Sequence, residues 1–164
     1  MKEPNQRPAT ATDLAGIMKL LDLAFAPSQS ESRLVRALLG NARPAYQWLI
    51  ESEGDLLAYI CYSTAYRERR PIGFHLAPVA VAPERQRRGL GSRIIRHTLL
   101  QPPIADSPVF VLGEVSYYTR FGFRRVRQPV CPFEPSNEHF MALRYESQDD
   151  FQVGYEPEFM IGER

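Results

Sequence analysis

The sequence predicts an α/β fold, and three observations carry that expectation. Segments with apolar residues three and four apart are interleaved with segments rich in aromatic and β-branched residues. Along the chain these segments follow the order β, αα, βββ, α, β, α, ββ. The chain has 164 residues, 44% hydrophobic and 11% aromatic, which is enough apolar material for one core. Residues 1–164 are therefore expected to form a single domain, with 146–164 as its C-terminal tail.

The elements follow in turn. A weak strand is expected at 6–9. Thr12 and Asp13 then offer an N-cap, after which Leu14, Ile17, Met18, Leu21 and Phe25 recur at the spacing of an amphipathic helix. A second helix starts at Ser30, where Leu34, Val35, Leu38 and Leu39 share a face and Gly40-Asn41 gives a stop. Residues 46–51 and 56–66 flank the turn-forming Glu53-Gly54-Asp55 and read as an antiparallel hairpin. The next strand, 73–82, contains Pro78, which cannot donate to a ladder, so the strand must bulge or lack a full partner there. Residues 89–100 form a helix with Leu90, Ile94, Ile95 and Leu99 inward, ended by Pro102-Pro103. Residues 109–112 read as a short apolar strand, 115–121 as a short helix, and 123–126 and 139–145 as closing strands. The polar stretch after Gln148 either wraps the domain or hangs free.

Charge and composition narrow the function classes. Twenty basic side chains against 19 acidic ones give a net charge of +1, so no global field draws the protein to nucleic acid or to an anionic membrane. The most apolar window, around 76–82, is far too short to cross a bilayer. Cys61 and Cys131 lack C-x-x-C spacing and no signal segment opens the chain, which points to a soluble protein of a reducing cytoplasm. His97 and His139 show no metal spacing with either cysteine, and Ser116 lacks a G-x-S-x-G context, so neither a metal nor a serine nucleophile is expected.

The most informative stretch is Pro83-Glu84-Arg85-Gln86-Arg87-Arg88-Gly89-Leu90-Gly91-Ser92, which leads from the Pro78 strand straight into a helix. A helix start leaves backbone N–H groups unpaired and carries partial positive charge, so it can hold a phosphate where nothing bulky shields those amides. Gly89 and Gly91 remove that shield, and Arg85, Arg87 and Arg88 add a local positive field. The stretch lacks the G-x-x-x-x-G-K-[ST] and G-x-G-x-x-G patterns, which disfavours nucleoside triphosphates and dinucleotides. By itself it also suits a solvated loop closed by two turn glycines.

Gln86-Arg87-Arg88-Gly89-Leu90-Gly91 meets the signature Q/R-x-x-G-x-G/A, and Tyr117-Tyr118-Thr119-Arg120-Phe121-Gly122-Phe123 follows downstream with an aromatic-Tyr-x-basic-x-Gly-Phe ending. On these two stretches the chain resembles the GNAT superfamily of N-acetyltransferases over roughly residues 8–145. With Ala77-Pro78-Val79-Ala80-Val81 and Val111-Leu112-Gly113 it looks most like the YhbS-type branch. The resemblance implies the acyl-CoA N-acyltransferase fold: a central, mostly antiparallel sheet with splayed parallel strands, flanked by helices. It further implies acetyl-CoA as co-substrate, no metal, and a primary amine of a small molecule or peptide as acceptor. Residue by residue, it implies that Val79, Ala80 and Val81 grip the pantetheine arm in the splay. Gln86, Arg87, Arg88, Gly89, Leu90, Gly91 and Ser92 would hold the diphosphate. Tyr118 would be the general acid that protonates or hydrogen-bonds the departing thiolate.

The proton acceptor is open among His75, Glu114 and water. Glu114-Val115 stands where relatives of this branch carry Asp-Pro. A lysine-like amine near pKa 10.4 costs about 4.6 kcal/mol to deprotonate at pH 7, whereas an α-amine near 7.8 costs about 1 kcal/mol. An α-amine would need little help. Many relatives form dimers, which leaves a homodimer open. Two other readings compete: a non-catalytic acyl-CoA-binding module, and a phosphate or nucleic-acid loop built on Arg85, Arg87, Arg88, Arg93 and Arg96.

Overall fold

The computed structural model describes residues 3–161. Seven strands join one mixed sheet: β1 (Asn5–Pro8), β2 (Ala45–Ser52), β3 (Asp55–Arg67), β4 (Arg70–Val81), β5 (Val109–Leu112), β6 (Arg124–Arg125) and β7 (Phe140–Leu143), in the order β1-β2-β3-β4-β5-β7-β6. Of these pairings only β4 with β5 is parallel. Five helices accompany them: α1 (Leu14–Ala24), α2 (Ser30–Gly40), α3 (Leu90–Thr98), α4 (Val115–Tyr118) and α5 (Glu158–Ile161). Among the described residues no helix is long and apolar enough to cross a membrane.

Strand alternation decides which helix meets which face. Along β3, Tyr59 and Cys61 point to α1, where Ile17, Met18, Leu20 and Leu21 pack with Val35 of α2. Ala58, Ile60 and Tyr62 point the other way, against Ile94 and Ile95 of α3 and Leu99 just beyond it. Ile17, Leu21, Ile94 and Ile95 are essentially fully buried, and each such side chain contributes roughly 2 kcal/mol of burial free energy. On the α3 side the hydroxyls of Tyr62 and Thr98 meet at 2.8 Å, so these two buried polar groups satisfy each other. The first helix differs from expectation at its start. Ala11–Asp13 form one 3-10 turn, the Asp13 carboxylate accepts the Thr10 N–H at 2.7 Å, and Leu14 stays exposed while Leu20 fills the core. The closing strands are shorter than expected; β7 stops where Arg144 takes a left-handed φ of 58°.

Pro78 lies in an irregular stretch of β4. Tyr62 pairs with Leu76 and Ile60 with Val79, so Ala77 and Pro78 together face Cys61 in a bulge. On the other edge of β4, pairing with β5 is confined to Phe74↔Val109 and His75↔Phe110, anchored by the Phe74 N–H to Pro108 O bond of 2.9 Å. Beyond His75 the two strands fork.

The stretch after Gln148 wraps. Gly154 and Tyr66 exchange backbone hydrogen bonds of 2.7 and 3.0 Å, Val153 is buried, and the Arg43 guanidinium meets the Glu158 carboxylate at 2.8 Å. Polarity concealed this docking, because three apolar side chains, Val153, Tyr155 and Phe159, supply the contact with the body.

Candidate functional site

The fork exposes backbone. Ala82 donates its N–H to Leu57 O at 2.8 Å, and an antiparallel ladder alternates direction, so Ala80 also turns its amide and carbonyl toward β3. Val79 and Val81 turn theirs toward the gap. The Gln86 side chain already donates to Val81 O at 3.2 Å, which ties the end of β4 to the glycine turn. The side chains of Val79 and Val81 pack on the α3 core, whereas Ala80 is buried against α1.

At the mouth of the fork, α3 begins with unshielded amides. Its N-cap is Gly89, at φ 80°, and no side chain caps the helix. A Cβ at Gly89 would meet nothing within 4 Å, so glycine is needed there for its left-handed backbone and not for space. Arg87, two residues earlier, is also left-handed at φ 65°, and such curling brings neighbouring N–H groups onto one side. The result is a groove of about 340 Å3 between Gln86, Arg87, residues 89–92, Val81, Tyr117 and Arg120. Charge, helix dipole and free donors all favour an anion in it. Arg87 lines the groove and Arg88 does not. Arg93 is engaged with Pro4 O at 3.0 Å and Arg96 lies over the Phe121 ring at 5.0 Å, so the five arginines do not form one free basic stripe.

Tyr117 and Tyr118 divide the work of α4. The Tyr117 hydroxyl lies 3.4 Å from that of Ser92 and walls the groove. Sequence reasoning treated Tyr117 only as an aromatic neighbour. Tyr118 is 8% exposed, edge-on to Phe123 and Tyr117, and its ring lies where a Cβ at residue 113 would clash, which is what Gly113 provides. Among the described residues its hydroxyl has no hydrogen-bond partner. Burial, with a smaller effect of Tyr117, pushes it up to about 12. A thiol near 8.5 is the stronger acid by roughly three orders of magnitude, so such a phenol suits hydrogen-bond donation to a thiolate better than outright protonation.

The two side chains considered as bases lie apart in character. Glu114 is an exposed residue at the start of α4, with the Ser116 hydroxyl 3.5 Å away. His75 is 1% exposed, stacked on Tyr155 at 3.6 Å between ring centroids, with Nε2 2.9 Å from Gly154 O. Burial holds it down at about 4, with the Gly154 bond a lesser opposing effect. Against an ammonium near 10.4 that leaves roughly six orders of magnitude to climb, so His75 is a poor proton remover. Its ring borders a cavity of about 180 Å3 at the fork, closed on one side by Phe133, Tyr155 and Phe159. No sequence signal pointed to these three walls, because they come from a loop and from the tail. A cleft of about 650 Å3 over the β3–β4 turn is larger but lined only by Arg67, Glu68, Arg69 and Arg70, away from these groups.

Both cysteines are free and buried, and burial pushes Cys61 up to about 12. Neither is an available nucleophile. Among the described residues no cluster of three or more His, Cys, Asp or Glu could hold a metal ion.

Residues 14–101 match the model of the Acetyltransferase (GNAT) family. The uncharacterized N-acetyltransferase YjhQ of Escherichia coli (strain K12) is 36% identical over 118 residues, which cover 68% of this chain and 65% of that relative. The chain thus matches just under two thirds of the relative's length. A GNAT family acetyltransferase from Brucella melitensis, solved with acetyl-CoA, superposes with a TM-score of 0.81 at 27% identity, over 97% of this chain and 99% of its own. The YhbS acetyltransferase from Escherichia coli, solved with CoA, shares the fold with a TM-score of 0.88 at 22% identity, over 98% and 93% of the two chains.

Proposed function

Because the chain belongs to the GNAT acetyltransferase family, we propose that it moves an acetyl group from acetyl-CoA to a primary amine of a small molecule or peptide by direct attack. The observation that carries this reading is the meeting of two features at one place: a strand fork into which Val79 turns its backbone and Val81 its amide, and the uncapped, glycine-started end of α3. Neither alone would suffice. The groove at Gln86, Arg87, Gly89, Leu90, Gly91 and Ser92 suits the diphosphate, with Arg88 adding field from outside it. Val79 offers its amide and carbonyl, and Val81 its amide, to an extended pantetheine amide chain that pairs as a strand would; Ala80 sets their spacing.

In this reading the amine nitrogen bonds to the thioester carbonyl carbon, the C–S bond breaks, and the electron pair leaves on sulfur. The Tyr118 hydroxyl donates a hydrogen bond to that sulfur as charge develops. The nitrogen loses one proton and the sulfur gains one, so amine and thioester give amide and thiol. The amine must arrive uncharged, and the low basicity of His75 leaves its deprotonation to Glu114 or water.

The test is thiol release from acetyl-CoA with an amine panel, alongside calorimetry with CoA. Turnover with micromolar CoA binding is expected. CoA binding without turnover on any amine would instead favour a non-catalytic acyl-CoA-binding module, and absence of CoA binding would dismiss both.

A further inference from the structure

The groove at the start of α3 has a second wall that a diphosphate seated on the helix amides does not need. Tyr117 of α4, and Arg120 in the 3-10 turn that follows it, line the groove together with Gln86, Arg87 and the glycine turn. Tyr117 is held close to α3: a Cβ at Gly91 would come within 3.0 Å of its hydroxyl, so glycine at that position lets α4 approach. The Tyr117 ring in turn carries Arg120, whose guanidinium carbon lies 4.6 Å from the ring centroid while Nε donates to the Tyr117 carbonyl at 3.4 Å. Such stacking sets the planar fork in place before a ligand arrives, so less freedom is lost on binding. Arg120 is exposed, and none of the ion pairs among the described residues engages it. Its two terminal nitrogens have no partner among the described residues either. Arg87 is likewise without a carboxylate, and no Asp or Glu lines the groove that the two share.

We propose that Arg120 determines cofactor specificity by binding the ribose 3′-phosphate of coenzyme A, so that the protein selects the coenzyme over its 3′-dephospho form. The inference rests on reading the glycine turn as the seat of the diphosphate. Charge is the first reason. The amides at the start of α3, its dipole and Arg87 already answer the diphosphate. A phosphomonoester adds a further charge of about −1.5 to −2 at pH 7, and it needs a cation of its own. Arg93 is committed to Pro4 O and Arg96 to the Phe121 ring, which leaves Arg120 as the uncommitted guanidinium on the α4 wall. Reach is the second reason. The 3′-phosphate and the 5′-diphosphate hang from one ribose, so seating the diphosphate at residues 89–92 delivers the other phosphate to the same groove. An arginine fork meets phosphate oxygens two at a time, which a lysine cannot do. Arg120 acts on binding alone, and no bond is made or broken at it.

Calorimetry with CoA and with 3′-dephospho-CoA tests this on wild type, Arg120→Gln, Arg120→Lys and, as a charge control on β6, Arg124→Gln. Wild type should bind CoA roughly tenfold or more tightly than the dephospho form, the low end for charge-assisted hydrogen bonds because the site is exposed. In Arg120→Gln the affinity for CoA should fall by that factor while 3′-dephospho-CoA stays within about twofold, the second ligand reporting an intact groove. Arg120→Lys should keep part of the preference, Arg124→Gln all of it, and added salt should shrink it. In turnover, KM for acetyl-CoA should rise in Arg120→Gln with kcat unchanged, since the contact is the same in ground and transition state. Equal wild-type affinity for the two ligands, or a full preference retained in Arg120→Gln, would overturn the assignment. An equal loss of both ligands in Arg120→Gln would overturn it too, by placing Arg120 on the diphosphate. These outcomes sink the role of Arg120 alone, whereas wild-type protein that binds neither ligand removes the reading beneath it.

Discussion

Replacing Gly89 by alanine isolates the backbone from every other effect at the groove. A Cβ there meets no atom within 4 Å, so the substitution adds no clash, yet it asks an L-residue to hold φ 80°. That conformation costs an alanine about 1–2 kcal/mol. The cost must surface somewhere. If the turn keeps its shape, it appears as lost stability, a fall in Tm of about 2–4 °C per kcal/mol for a chain of this size. If the turn relaxes, it appears on binding, because the amides must be bent back to meet the diphosphate, and affinity falls by roughly five- to thirtyfold. Thermal unfolding and CoA calorimetry on the same protein should show losses that together amount to about 1–2 kcal/mol. Gly89→Asn should recover part of it, since asparagine tolerates the left-handed region. An alanine variant that matches wild type in both Tm and CoA affinity would refute the argument that a left-handed turn presents these amides.

Four other predictions rest on the same structure. Tyr118→Phe should lower kcat by about two orders of magnitude with little change in CoA affinity; an unchanged kcat removes the hydroxyl from the mechanism. Because burial pushes Tyr118 up to about 12, its ionisation should not produce a descending limb in the wild-type rate profile below about pH 11. His75 is held at about 4 against an ordinary 6.5, so the unfolded chain binds a proton that the native one refuses. This share of stability, on the order of 3 kcal/mol, is complete above about pH 6.5 and is lost as pH falls toward about 4. Urea titrations of His75→Phe should lack that slope, and a slope equal to wild type would contradict a buried neutral ring. Arg43→Met strands the buried Glu158 carboxylate; the tail should then be cleaved faster by protease, and adding Glu158→Met should restore resistance. Equal cleavage of wild type and Arg43→Met would show that the ion pair does not hold the tail.

Much of this was legible in the amino-acid order, for local reasons. Pro78 lacks an N–H whatever surrounds it, so the defect in β4 could be foreseen, and both bulge and fork appear there. The helices and the hairpin follow from spacing and turn chemistry, whereas the family was legible as a resemblance carried by two short motifs. The glycine turn could be placed at the start of α3 because Gly89 and Gly91 act on their own backbone.

What tertiary structure alone decided is where distant groups meet. Tyr117 walls the groove only because α4 packs beside α3, and Gly113 makes room for Tyr118 by its position under that ring. His75 lost its promise as a base through burial, and burial is a property of what folds over a residue, here Tyr155 and Gly154 from a stretch that looked merely polar. Covalent constraints act on neighbours and can be read in order. Desolvation and contact depend on all of the chain at once, which is why the cavity beside His75, walled from four separate segments, exists only in the fold.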